Sequence, residues 1–91
     1  MAKVEQEVTI INKLGLHARA AARLVTLASQ FSSDIRLCLG EREVNGKSIM
    51  GVLMLAAARG TRLSIIAEGD DAARAIDELA SLINERFGES E

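Results

Sequence analysis

The apolar positions of this chain follow two alternating periods, and each change of period marks a new element. From Glu5 to Ile11 the run carries β-branched Val8, Thr9, Ile10 and Ile11, which reads as a strand. From Ala18 to Phe31 the apolar positions Ala21, Leu24, Val25, Ala28 and Phe31 recur at helical spacing, so an amphipathic helix is predicted. Ser32-Ser33-Asp34 breaks it. Ile35 to Leu39 reads as a second strand, Gly40-Glu41 as a turn and Arg42 to Val44 as a short third strand, together a hairpin. Asn45-Gly46 is a strong turn signal, and Ser48 is placed to cap a second helix that runs to Ala58. Gly60 suits a left-handed stop for that helix. Arg62 to Ala67 makes the fourth strand. Gly69-Asp70-Asp71 then opens a last helix, its acids at the positive end and its buried stripe formed by Ala72, Ala75, Ile76, Leu79, Leu82, Ile83 and Phe87. The order β-α-β-β-α-β-α predicts an α+β open-faced two-layer sandwich, a four-stranded antiparallel sheet with three helices on one face.

The middle helix breaks the amphipathic rule. Ile49-Met50-Gly51-Val52-Leu53-Met54-Leu55-Ala56-Ala57-Ala58 is apolar nearly all round, yet a small domain can bury only one face of it. Val52 and Leu55, with Ala56, are expected to line the sheet side, leaving Ile49, Met50 and Leu53 outward as a compact patch. A patch of this kind reads as a protein docking face, with Met50 an adaptable contact; a core helix or self-association would also account for it.

Composition narrows the function classes. The 91 residues, 48% of them apolar and with a net charge of −2, are expected to form one domain over residues 1–91. No stretch approaches the roughly 20 apolar residues of a membrane span, and Met1-Ala2-Lys3-Val4-Glu5 lacks a signal peptide's apolar core, so a cytoplasmic location is expected. Cys38 is the sole cysteine and reads as a strand or core residue, with no internal disulfide. Mild acidity and only two aromatics, Phe31 and Phe87, argue against nucleic-acid binding.

The chemistry centres on the only histidine, His17, in Lys13-Leu14-Gly15-Leu16-His17-Ala18-Arg19. It falls where the first strand gives way to the first helix. There the backbone N–H groups of the first turn, those of Ala18 and Arg19 included, are free and the helix dipole is positive, an anion site that also favours the neutral, nucleophilic ring. Arg19 adds forked donors suited to phosphate oxygens. Nucleophile, donors and counter-charge converge as they would for a phosphoryl-accepting histidine. A lone histidine at a helix start is nonetheless more often an ordinary surface residue or cap, and spacing alone does not overturn that. One histidine and one cysteine, with no carboxylate nearby in sequence, fall short of a metal shell, so no metal and no cofactor are expected. A hydrolytic role would need a nucleophilic partner for His17 that no motif offers.

Two motifs change the balance. Gly15-Leu16-His17-Ala18-Arg19 and Val44-Asn45-Gly46-Lys47-Ser48-Ile49-Met50-Gly51-Val52-Leu53 closely resemble HPr, the histidine-containing phosphocarrier family of the bacterial phosphoenolpyruvate-dependent phosphotransferase system, across essentially the whole chain. The resemblance implies that His17 takes a phosphoryl group on Nδ1 from Enzyme I and donates it to A-type domains of sugar permeases or to regulatory acceptors. It implies that Arg19 steadies the phosphate and that Ser48 is a target of HPr kinase/phosphorylase. Leu16, Ala18, Ala20, Ile49, Met50 and Leu53 would meet partners. The protein would then be a monomeric carrier, not an enzyme, with turnover left to its partners. The family usually has proline where this chain has Ala20, which bears on how firmly the helix start is organised. Two rival functions remain: the paralogous carrier of the nitrogen-related branch, and a regulatory protein that only docks through the apolar helix.

Overall fold

In the computed structural model, which describes residues 2–91, alternation and helical periodicity resolve into four strands and three helices around one core. Met1, read above with the N-terminal stretch, lies outside the described residues. The strands are β1 (Lys3–Thr9), β2 (Asp34–Leu39), β3 (Arg42–Asn45) and β4 (Arg62–Glu68), and the helices α1 (Ala18–Ala28), α2 (Ile49–Met54) and α3 (Ala72–Asn84). All four strands form one antiparallel sheet in the order β1-β4-β2-β3, which is the architecture the sequence predicts.

Register follows from the side-chain period of two. Val8 faces Leu63 across β1 and β4, and Ile35 and Leu37 face Ala67 and Ile65 across β2 and β4. These residues are buried under the helices with Ala21, Leu24, Ala75, Ile76, Leu79 and Ile83. Residues between them point to the sheet's other face. Cys38 is one, a half-buried strand residue whose thiol is pushed up by burial and by the neighbouring Glu43 carboxylate. Phe31 and Phe87 are both buried, and the Arg74 guanidinium lies 5.1 Å over the Phe31 ring. Leu82 is only half-buried, at the edge of its stripe.

Three boundary readings need correction. The first helix ends at Ala28 and not at Phe31, because the Gln30 and Phe31 N–H groups turn to carbonyls three residues back. The first strand runs Lys3–Thr9, not Glu5–Ile11, because Glu68 at the far end of β4 supplies a partner for Lys3. The second helix ends at Met54, and Ala56, with φ 50°, takes the left-handed position expected of Gly60. The reason is tertiary: the Ala57 carbonyl turns away from the helix to accept the Leu16 N–H at 2.9 Å, and Ala57 rather than Ala56 is buried. Asp71 stands at the N-cap of α3 without capping it. Its carboxylate instead accepts from the Ser33 hydroxyl and from the Ser32 and Ser33 N–H groups at 2.9 and 3.0 Å, tying α3 to the start of β2. The Ser33 hydroxyl, then the Ser32 amide, hold that carboxyl at about 2.

Among the described residues no helix is long and apolar enough to cross a membrane.

Candidate functional site

The loop between β1 and α1 is fixed at one backbone position. Gly15 takes φ +68°, and a Cβ there would lie 2.5 Å from the Ala57 carbonyl oxygen. Only glycine permits both the conformation and the approach. With Leu16 held against the same carbonyl, the chain enters α1 at His17, the N-cap, in extended conformation (φ −75°, ψ −179°).

At the cap the His17 Nδ1 accepts the Arg19 N–H at 3.4 Å, a long bond, so Nδ1 faces the positive end of α1 with its lone pair only weakly engaged. The first helical bond is made by the Ala21 N–H to the His17 carbonyl, at 2.8 Å. The amides before it, including that of Ala20, therefore have no acceptor within the helix. Ala20, unlike a proline, keeps one such N–H at this end. The Arg19 and Arg23 side chains line the same shallow depression as His17, together with Leu14, Ala18 and Glu89. This constellation presents a nucleophilic nitrogen, backbone donors and two cations to solvent. It suits a transient tetrahedral dianion.

The chain belongs to the HPr family. The family model described as PTS HPr component phosphorylation site matches residues 4–85. The phosphocarrier protein HPr of Cupriavidus necator is 49% identical over 88 residues, which cover 97% of this chain and 99% of that protein. The phosphocarrier protein NPr of Shewanella violacea is 42% identical over 90 residues, 99% of each chain. The crystal structure of HPr-C-His from Thermoanaerobacter tengcongensis superposes with a TM-score of 0.91 at 45% identity, covering the whole of both chains. HPr proteins are phosphocarriers of the phosphotransferase system, and this chain has both their fold and their two motifs.

Within this HPr fold Ser48 N-caps α2, its Oγ accepting the Gly51 N–H at 3.1 Å. Ile49 and Met50 are exposed, Met50 by 68%, and Leu53 is half-buried against the core. Two further apolar residues join the exposed set, Leu14 at 67% and Met54 at 64%. Helix periodicity hid Met54 because the whole helix reads apolar, and Leu14 lies in a loop where periodicity says nothing. Two of the expected contact residues turn inward. Ala20 lies on the core stripe of α1 and Leu16 is pinned beside Ala57, so both are buried and offer a partner no surface. Ala18 is exposed.

Sequence reading also missed a carboxylate at the histidine. Glu89 lies 72 positions after His17, yet its Oε2 is 2.5 Å from His17 Nε2, while Oε1 accepts from Asn12 Nδ2 at 3.0 Å. Asn12 is fully buried and its Nδ2 also donates to the Gly15 carbonyl at 2.8 Å. Burial raises the Glu89 carboxyl, but the hydrogen bonds from Asn12 and His17 and the nearby charge of Arg19 outweigh it, so the net shift is downward. No local signal near His17 points to Glu89. Only the fold brings it there.

Proposed function

We propose that His17 accepts a phosphoryl group on Nδ1 from phospho-Enzyme I, charged in turn by phosphoenolpyruvate, and passes it to the A-type domain of a sugar permease or to a regulatory acceptor. The observation that carries this reading is the placement of Nδ1 at the exposed N-terminus of α1, 3.4 Å from the Arg19 amide. Phosphoryl transfer through a loose transition state needs position and charge stabilisation more than covalent help. Backbone amides and Arg19 hold the group modestly, as a carrier that must also release it requires. The remaining electrostatics, any magnesium at the Enzyme I step included, come from the partner, so the domain alone turns nothing over.

Docking is assigned to Ile49, Met50 and Met54 of α2 together with Leu14, with Leu53 and Ala18 at the margin. Ser48 sits at the head of that patch. Phosphate there would add about −1.5 to −2 charges at a helix end that tolerates them, so the fold survives while docking suffers. This is the form a regulatory mark by HPr kinase/phosphorylase would take. The relative named NPr supports a second reading, carriage in the nitrogen-related branch. Neighbouring genes for a sugar-permease domain or for a nitrogen-branch Enzyme I separate the two.

Incubation with phosphoenolpyruvate, magnesium and Enzyme I is expected to add one acid-labile, base-stable phosphate. His17→Ala abolishes it, and Arg19→Ala slows it with the fold intact. Continued labelling of the His17→Ala protein would end the proposal.

A further inference from the structure

Glu89 reaches His17 on a segment that is built to bring it there. After α3 the residues Arg86 (φ 58°), Phe87 (φ 56°) and Gly88 (φ 80°) run left-handed in succession. Such backbone is unfavourable for every residue other than glycine. The Phe87 side chain is completely buried, and that burial offsets the backbone cost. The Arg23 guanidinium of α1 donates to the Phe87 carbonyl, and a Cβ on Gly88 would meet that guanidinium at 2.6 Å. Farther on, the Lys13 N–H donates to the Glu91 carbonyl at 2.9 Å. The segment is thus fixed on both sides of Glu89, whose side chain is 14% exposed against 28% for His17.

A carboxylate only accepts, so the hydrogen in the 2.5 Å contact belongs to Nε2. The neutral ring then has its lone pair on Nδ1, the atom facing the helix N-terminus. Asn12 fixes the carboxylate from its other oxygen. Asn12, Glu89 and His17 form a chain of orientation whose logic matches that of a nucleophile positioned through a third group.

We propose that Glu89 is a positioning residue for phosphoryl transfer at His17, holding the proton on Nε2 so that Nδ1 both attacks and leaves as part of a neutral imidazole. This rests on the reading of His17 as the phosphoryl acceptor. In the forward step the Nδ1 lone pair forms the N–P bond while the bond from phosphorus to the phosphorylated donor protein breaks, its electron pair staying with the donor. The proton stays on Nε2. The ring becomes a phosphorylated imidazolium, its positive charge balanced by Glu89 on one side while the phosphoryl oxygens meet Arg19 and the amides on the other. In the onward step the N–P electron pair returns to Nδ1, and the leaving group is again neutral imidazole rather than an imidazolate anion. One carboxylate thereby serves both directions.

The test compares wild type with Glu89→Gln, which keeps the shape and removes the charge, and with Glu89→Asp, which restores a charge on a shorter arm. Ring ¹⁵N shifts of His17 report the tautomer, and transfer rates from phospho-Enzyme I at varied carrier concentration separate the transfer step from docking. The wild type is expected to hold the Nε2–H form. The Gln variant, folded by its thermal melt, is expected to mix both tautomers and to lose about tenfold in the maximal transfer rate with KM little changed, well short of the ~10⁴ of a fully buried orienting carboxylate. The Asp variant recovers part of the loss. An unchanged tautomer and rate in Glu89→Gln, a faster rate, or a loss confined to KM would each overturn the role of Glu89 while leaving His17 as acceptor. A wild type that takes no label on His17 would instead remove the underlying reading, and this inference with it.

Discussion

His17 and Ser48 occupy equivalent places, each the N-cap of a short helix in extended backbone conformation, each with a side-chain atom aimed at an amide of the first turn. The distances set them apart. Ser48 Oγ takes the Gly51 N–H at 3.1 Å, a sound capping bond, whereas His17 Nδ1 stands 3.4 Å from the Arg19 N–H, near the limit of one. A well-made cap commits its lone pair to the backbone. A loose cap leaves that lone pair available, and the imidazole is held from behind by Glu89 instead. The two helix starts therefore divide the labour: one stabilises α2 beneath the apolar patch, and the other gives up capping energy and leaves an imidazole nitrogen accessible.

The largest expected effect comes from removing what holds the imidazole from behind. Phe87→Ala empties a completely buried site and should destabilise the domain by about 3–5 kcal/mol in urea unfolding. Because the same residue anchors the turn that delivers Glu89, the folded fraction should also show a mixed His17 tautomer while the Gly51 amide stays protected beneath Ser48. Loss of protection at both helix starts would mean that the two are not separately supported.

Gly15→Ala comes next. The new Cβ meets the Ala57 carbonyl oxygen at 2.5 Å in a left-handed backbone, so a cost of about 3 kcal/mol is expected from strain and overpacking together. Thermal melts check the value. A cost under about 1 kcal/mol would show that the close approach to the α2–β4 loop does not hold the His17 loop in place.

Most of the fold was legible because its elements are locally consistent. The stripe of α1 as far as Ala28, the alternation of β2 and the Asn45-Gly46 turn each need only their own residues, and each stands where the pattern puts it. The misreadings share a cause. The second helix stops four residues short of Ala58 because the Ala57 carbonyl is taken by Leu16, a contact between loops that neither sequence segment announces. Glu89 is the same case at longer range: an acidic residue after a helix looks like solvated surface until a left-handed turn folds it back 72 positions onto the histidine. Ser48 was readable as a cap from its own segment, and His17 as the residue at the start of the first helix from its own. What supports His17 was not.

The smallest effect sharpens the contrast between the two caps most. Ser48→Ala deletes a 3.1 Å capping bond and should lower stability by about 1 kcal/mol. His17→Ala deletes a 3.4 Å contact too long to contribute much, and the Glu89 carboxylate it leaves behind keeps its bond to Asn12 and some access to water. A partly exposed hydrogen bond of this kind contributes modestly, so His17→Ala is expected to cost less than the ~1 kcal/mol of Ser48→Ala, even though it is expected to remove all phosphoryl acceptance. Paired urea titrations at neutral pH decide the order. If His17→Ala proved the more costly of the two, the histidine would be a structural cap whose exposure is incidental, and the division of labour between the helix starts would fail.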